Sequence, residues 1–189
     1  DKTHADRFTV DGKSITMEED VQFAHYDPNV ASLMQLGKWF DYMRENGVYD
    51  NTRIILVADH GRGLYLNWDR VIDNGPDTDF FFPLLMVKDF NAEGFSFSDE
   101  FMTTADVPTL ATSGLIDNPT NPFTGNAINA NAKYDRPFYA FMSYDWDTSK
   151  NNGNQFFPGT WYRVDNQNAR DKRNWVMVGE NTVLPDALR

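Results

Sequence analysis

Residues 40–63 read FDYMRENGVYDNTRIILVADHGRG, and the fold turns on this stretch. Its first part closes an amphipathic helix. Between Pro28 and Asn46, the residues Val30, Leu33, Leu36, Gly37, Phe40 and Met43 recur at three- and four-residue steps, the spacing of one helical face. Asp27-Pro28 is the expected start, with Asp as the cap and Pro at the first helical position. Asn46-Gly47 is the expected stop. After a turn at Tyr49-Asp50-Asn51-Thr52 comes the β-branched run 53–58, RIILVA. Apolar on consecutive residues, it reads as a strand covered on both faces, as in a parallel sheet under helices. It runs directly into Asp59-His60-Gly61.

Downstream, the run 83–87 (PLLMV) is a second core strand, ending at Lys88-Asp89. Residues 101–114 carry a helix start at Asp106-Val107-Pro108 and a stop at Gly114. Strand and helix in alternation predict an α/β layer fold. Upstream, residues 1–20 are polar, with a turn at Asp11-Gly12-Lys13. Residues 116–132 (IDNPTNPFTGNAINANA) read as a long loop. Beyond Lys133, the aromatic and β-branched runs 136–144, 159–165 and 174–179 predict a meander or edge sheet. The expected division is therefore an α/β part over 1–115, an Asn/Pro-rich loop over 116–133, and an aromatic-rich β segment over 134–189 that completes the domain.

Composition narrows the chemistry. The chain has 189 residues, 17 Lys and Arg against 28 Asp and Glu, a net charge of −11, and no cysteine. At 41% hydrophobic and 15% aromatic it can build a core. The lack of cysteine excludes disulfide scaffolds, Cys-based zinc sites and thiol nucleophiles. The acidic balance argues against nucleic acid as a partner, since phosphate backbones need clustered cations. No signal peptide is visible. The longest apolar run, residues 80–87, is eight residues long, against the roughly 20 a membrane helix needs, so the chain itself is expected to be soluble.

The site expectation rests on Asp59-His60-Gly61. In open α/β sheets, ligands bind beyond the carboxyl ends of the strands. Carboxylate and imidazole are both good ligands for Zn²⁺ or Mn²⁺, and glycine permits a tight exit. The alternative is a simple turn, with His60 bonded to a backbone carbonyl. Arg62, just after this pair, suits an anionic ester oxygen, since guanidinium matches phosphate and sulfate; the equal alternative is a solvated surface arginine. His25 reads as core packing or capping, and Asp106 as a helix cap.

The order helix, Gly-Val-Tyr-Asp-Asn-Thr, apolar strand and Asp-His-Gly resembles the sulfatase-like hydrolases of the alkaline phosphatase superfamily. Within them it is most similar to the lipoteichoic acid synthase and phosphoglycerol transferase branch. Pro83-Leu84-Leu85-Met86-Val87-Lys88 and Thr104-Ala105-Asp106-Val107-Pro108-Thr109-Leu110 match the strand and helix that follow in that family, so the resemblance covers about residues 26–114. It implies the C-terminal part of a sandwich of helices around a mixed sheet. It also implies a divalent metal (Mn, Zn, Mg or Ca) on Asp59 and His60, and contact of an upstream histidine, here His4, with the substrate phosphate.

Such enzymes attack phosphate or sulfate esters with a metal-activated Thr, Ser or formylglycine. No matching motif stands ahead of residue 26. The chain is thus expected to be the C-terminal portion of a larger enzyme, inactive alone, with the N-terminal half of the same protein as its partner. The parent would be anchored in a membrane, its domain on the periplasmic or extracellular face, acting on an anionic ester such as a lipid headgroup or glycan. Two alternatives stand beside this: a true sulfatase, or a non-catalytic glycan-binding module. The module would use the tail rings of Tyr134, Phe138, Tyr139, Tyr144, Trp146, Phe156, Phe157, Trp161, Tyr162 and Trp175. Burial of those rings separates a sheet core from a stacking surface.

Overall fold

The computed structural model describes residues 7–10, 13–16, 20–65, 68–143 and 157–188. At its start, β1 (Arg7–Val10) and β2 (Lys13–Thr16) pair antiparallel with Val10 opposite Lys13. The first two residues of the expected turn, Asp11 and Gly12, lie outside the described residues.

Helix α1 runs Asp20–Glu45, so Pro28 sits inside it and does not open it. Pro28 has no N–H to give the Ala24 carbonyl, and the helix continues with one ladder bond fewer. Asn29 Nδ2 reinforces the same turn by donating to the His25 carbonyl at 2.6 Å. The stop falls where expected: Gly47 has φ +67°, and its N–H donates to the Arg44 carbonyl. Of the apolar stripe, Met43 is buried, while Val30, Leu36, Gly37 and Phe40 are half-buried. Leu33 is exposed, together with Met34, Trp39 and Tyr42.

The expected parallel sheet is not what forms. β3 (Ile54–Val57) pairs antiparallel with β4 (Leu85–Lys88), with Ile54 opposite Lys88 and Val57 opposite Leu85. The described part of the intervening chain folds as loops and short 3-10 turns, and the chain returns at the end of β3 it left, where the Ala58 N–H donates to the Leu84 carbonyl. A parallel partner would have required a crossover to the far end. Nor are both faces covered: Ile54 is buried, but Val57, Met86 and Val87 are exposed. The pattern of consecutive apolar residues is real, and its burial is incomplete.

Arg53 ties this pair to α2 (Val107–Thr112). Its guanidinium donates to the carbonyls of Leu110, Ala111 and Ser113, and forks onto Asp89 at 2.9 and 3.2 Å. A cation there satisfies the orphan carbonyls at the end of α2. Lys88 donates to the carbonyls of Tyr49 and Thr52. Asp106 stands at the cap position of α2, but its side chain makes no cap bond to that helix; it accepts the Thr103 N–H at 2.7 Å and so closes the preceding 3-10 turn, Thr104–Asp106. It is buried, and offset by Lys133 Nζ at 3.2 Å. Gly114 ends the segment at φ +71°.

The tail forms an antiparallel sheet in the order β5 (Phe138–Met142), β6 (Gly159–Val164), β7 (Trp175–Thr182). Ala140, Tyr162, Val164 and Trp175 are its buried cluster, and Ile72 and Phe81 pack on it. The Phe81 and Trp175 rings lie 5.0 Å apart, so the segment between β3 and β4 shares its core with the tail. The fold is therefore mixed α/β. Among the described residues no helix is long and apolar enough to cross a membrane.

Two outcomes follow. Replacing Arg53 with Met should destabilise the fold by about 2–3 kcal/mol, because three carbonyls and Asp89 lose a charged donor; a urea midpoint that does not move would contradict this. The second concerns acid. Asp171 is held down at about 2 by bonds from the Arg173 guanidinium and amide. Asp89 and Asp165 lie below the ordinary carboxylate range, first through the guanidinium bonds of Arg53 and Arg163. A depressed carboxylate contributes fully above its unfolded value of about 3.9 and loses that contribution as pH falls through its folded value. Stability from these pairs should be flat from about pH 7 to 5 and fall between about pH 4 and 2. Denaturant melts at each pH should show a shallower fall for Arg173→Gln.

Candidate functional site

β3 ends at Val57, and Asp59-His60 form the bend just beyond it. Both side chains face solvent, 89% and 70% exposed respectively. Asp59 Oδ1 accepts the His60 backbone N–H at 2.9 Å, which holds the carboxylate beside the imidazole. His60 Nδ1 lies 2.6 Å from the Gly61 carbonyl oxygen. A carbonyl can only accept, so in the neutral ring Nδ1 carries the proton and Nε2 the lone pair. The turn expected as the alternative reading is thus present. It is also the arrangement in which a metal-binding histidine is usually held, its second nitrogen donating to a carbonyl.

Nε2 stands 3.9 Å from Asp59 Oδ1. Two bonds of about 2.1 Å meeting at a tetrahedral angle hold their donors about 3.4 Å apart, so a small turn of the exposed Asp59 side chain would bring both atoms onto one ion. One oxygen and one imidazole nitrogen suit Zn²⁺ or Mn²⁺ better than Ca²⁺ or Mg²⁺, which favour all-oxygen shells. Among the described residues there is no group of three or more His, Cys, Asp or Glu that could hold an ion. The pair itself supplies two donors.

What holds the bend is a second segment, residues 77–82. The Gly61 N–H donates to the Phe80 carbonyl at 3.0 Å. A Cβ on Gly61 would overlap the carbonyl oxygens of Asp79 and Phe82, and one on Gly63 would lie 2.9 Å from Asp77 Cβ and closer still to the Phe80 ring. Both positions need glycine for close approach. Asp77 has no exposed surface. Its Oδ2 accepts the Tyr65 N–H at 2.9 Å and its Oδ1 the Asp79 N–H at 3.0 Å. Tyr65 itself has φ +54°, a left-handed conformation costly to a residue with a Cβ. The neighbouring Thr78 is equally buried, and its hydroxyl has no hydrogen-bond partner.

Arg62 is exposed and unpaired among the described residues, its guanidinium 5.8 Å from the Phe80 ring centroid. The nearby Arg70 is committed to Asp79 at 2.6 Å. Asp59, His60 and Arg62 are thus brought to one exposed bend. His4 lies outside the described residues. His25 is half-buried within α1. Asp77 escaped the sequence reading. Its one signal was an Asp two residues ahead of another, before an apolar run, the pattern of a turn cap.

Among the tail rings, Tyr162 and Trp175 are buried. Phe138, Tyr139, Phe157 and Trp161 are half-buried, and Tyr134 is exposed. Tyr144, Trp146 and Phe156 lie outside the described residues. Of the seven described rings, Tyr162 and Trp175 thus belong to the sheet's buried cluster and Phe138 packs against it.

Comparison of the chain with protein-family models, with curated proteins and with solved structures finds no match.

Proposed function

We propose that this chain is the C-terminal part of a metal-dependent phosphoryl- or sulfuryl-ester hydrolase or transferase of the sulfatase-like kind, closest in type to the phosphoglycerol transferases. The observation that carries the reading is the Asp59-His60 bend. A carboxylate oxygen and an imidazole Nε2 face solvent together, with Nδ1 already engaged and, two residues on, a guanidinium that makes no ion pair among the described residues. A guanidinium with no ion pair among the described residues, beside two metal-ligand groups, has the parts to bind an anionic ester. A bound divalent ion would polarise the ester and lower the pKa of an attacking hydroxyl.

The residues of this chain have separable tasks. Asp59 and His60 hold the ion, and the Gly61 carbonyl keeps the imidazole turned with Nε2 outward. Arg62 takes a non-bridging ester oxygen by a charge-assisted hydrogen bond. His4, upstream, contacts the same phosphate or sulfate. The nucleophile and remaining ligands come from the N-terminal half of the parent. Uncovered apolar surface supports that division: α1 exposes Leu33, Met34, Trp39 and Tyr42, while the β3/β4 pair exposes Val57, Met86 and Val87. Exposed apolar side chains on both elements are what contact with another body would use. The parent is placed at a membrane, its domain on the periplasmic or extracellular side, acting on a lipid headgroup or glycan ester.

In the parent, Asp59→Ala and His60→Ala should each abolish turnover of aryl phosphate or aryl sulfate, as should a chelator. Arg62→Ala should lower kcat/KM about tenfold or more. The 189-residue chain alone should be inert on both esters. Full turnover in chelator, or in either ligand variant, would sink the reading.

A further inference from the structure

The bend that carries Asp59 and His60 has little structure of its own. Both side chains are largely exposed, and among the described residues only Gly61 of 59–61 bonds to another segment through its backbone N–H. The conformation comes from residues 77–82, and within them from one side chain. Asp77 is fully buried, yet it makes no ion pair among the described residues; its two oxygens are spent on two backbone N–H groups. The Asp79 bond is local and caps the 3-10 turn Thr78–Phe81. The Tyr65 bond is not local. It crosses from one segment to the other and pins a residue in a left-handed conformation that its side chain disfavours. Between the bond at Gly61 and the bond at Tyr65, Gly63 packs against Asp77 Cβ and the Phe80 ring. The exit of the bend is thus stitched at three successive alternate residues onto a turn that Asp77 both caps and grips.

We propose that Asp77 is a positioning residue of the Asp59–His60 site: its buried carboxylate clamps residues 61–65 onto the 77–82 turn and so sets the direction of the His60 imidazole and of Arg62. This rests on the metal reading of Asp59 and His60, but the clamp can be measured separately. Phe81, on the same turn, packs against Trp175. The clamp therefore transmits the rigidity of the tail sheet to the bend, which is the work this gives the aromatic segment.

The test uses the full 189-residue chain. Asp77→Asn keeps the shape and the Asp79 cap but turns an NH₂ toward the Tyr65 N–H. Asp77→Ser also keeps a good cap, is too short to reach Tyr65, and serves if the Asn variant does not fold. Thr78→Val is the control, equally buried with no hydrogen bond to lose. Amide exchange at Gly61 is diagnostic, because its bond to Phe80 is untouched by either substitution. Exchange there should rise about tenfold in both Asp77 variants, with Tyr162 and Val164 amides and the Thr78→Val protein unchanged. Broadening of the His60 ring resonances by Mn²⁺ is the second measurement. Its midpoint should rise about tenfold in the Asp77 variants, the scale of losing an outer partner of a ligand, while Asp59→Ala removes the effect.

Unchanged exchange at Gly61 overturns the clamp. A raised exchange with an unchanged Mn²⁺ midpoint, in a chain where Asp59→Ala still acts, overturns the positioning role. Broadening that Asp59→Ala leaves intact overturns the metal reading instead, and the clamp is then decided by Gly61 exchange alone.

Discussion

A carboxylate with no exposed surface has to find its hydrogen bonds inside the protein, and Asp77 finds two, at Tyr65 and Asp79. Burying a charge without such partners is costly, so this pair of bonds is a constraint on everything near it. Above Asp77 lies the bend with Asp59, His60 and Arg62. Below it Phe81 reaches the Tyr162–Val164–Trp175 cluster. The site is exposed and weakly structured in itself, and the tail sheet is well packed. Asp77 stands between them.

A second junction, at Arg53, holds the other end of the same strand. The guanidinium bonds the last carbonyls of α2 and the carboxylate of Asp89, joining β3, β4 and α2 at one point. Because Arg53 side-chain contacts are nearly all with main-chain carbonyls or a forked carboxylate, lysine could not reproduce them. With Lys88, on the neighbouring strand, bonding the carbonyls of Tyr49 and Thr52 just ahead of β3, β3 is anchored at its start by cations and at its finish by glycines that let the chain turn closely. The strand is a rod held at both ends, and the candidate ligands stand on its tip.

Much of the local structure was legible beforehand. The β-branched runs became strands because their flanks, Tyr49 to Thr52 before β3 and the glycines after it, leave the chain no other regular option. Gly47 and Gly114 ended their segments because each adopts a positive φ that other residues resist. Asp106 took the cap position of α2, but its carboxylate turned back to the Thr103 N–H instead of bonding that helix. The start of α1 was misjudged because Pro28 forbids only one bond and one contact, and the turns on both sides outweigh that. The sheet was misjudged because a run of consecutive apolar residues reports a strand with two apolar faces, without saying which way its neighbour runs or whether anything covers the faces. In the site, Asp59, His60 and Arg62 could be found by their order after a strand. Asp77 could not, since an Asp ahead of a turn is common and its second bond is to a residue twelve positions earlier.

The sequence by itself determined where the chain is extended, where it turns, and which residues have ligand chemistry, because those properties follow from side-chain type and from interactions a few residues apart. Only the tertiary structure decided that β3 and β4 run antiparallel, that their faces stay partly open, and that Asp77 governs the bend. Each of these depends on segments meeting across long separations: Val57 with Leu85, Tyr65 with Asp77, Phe81 with Trp175. Those meetings are set by the packing of the whole chain, and no short stretch of residues contains them.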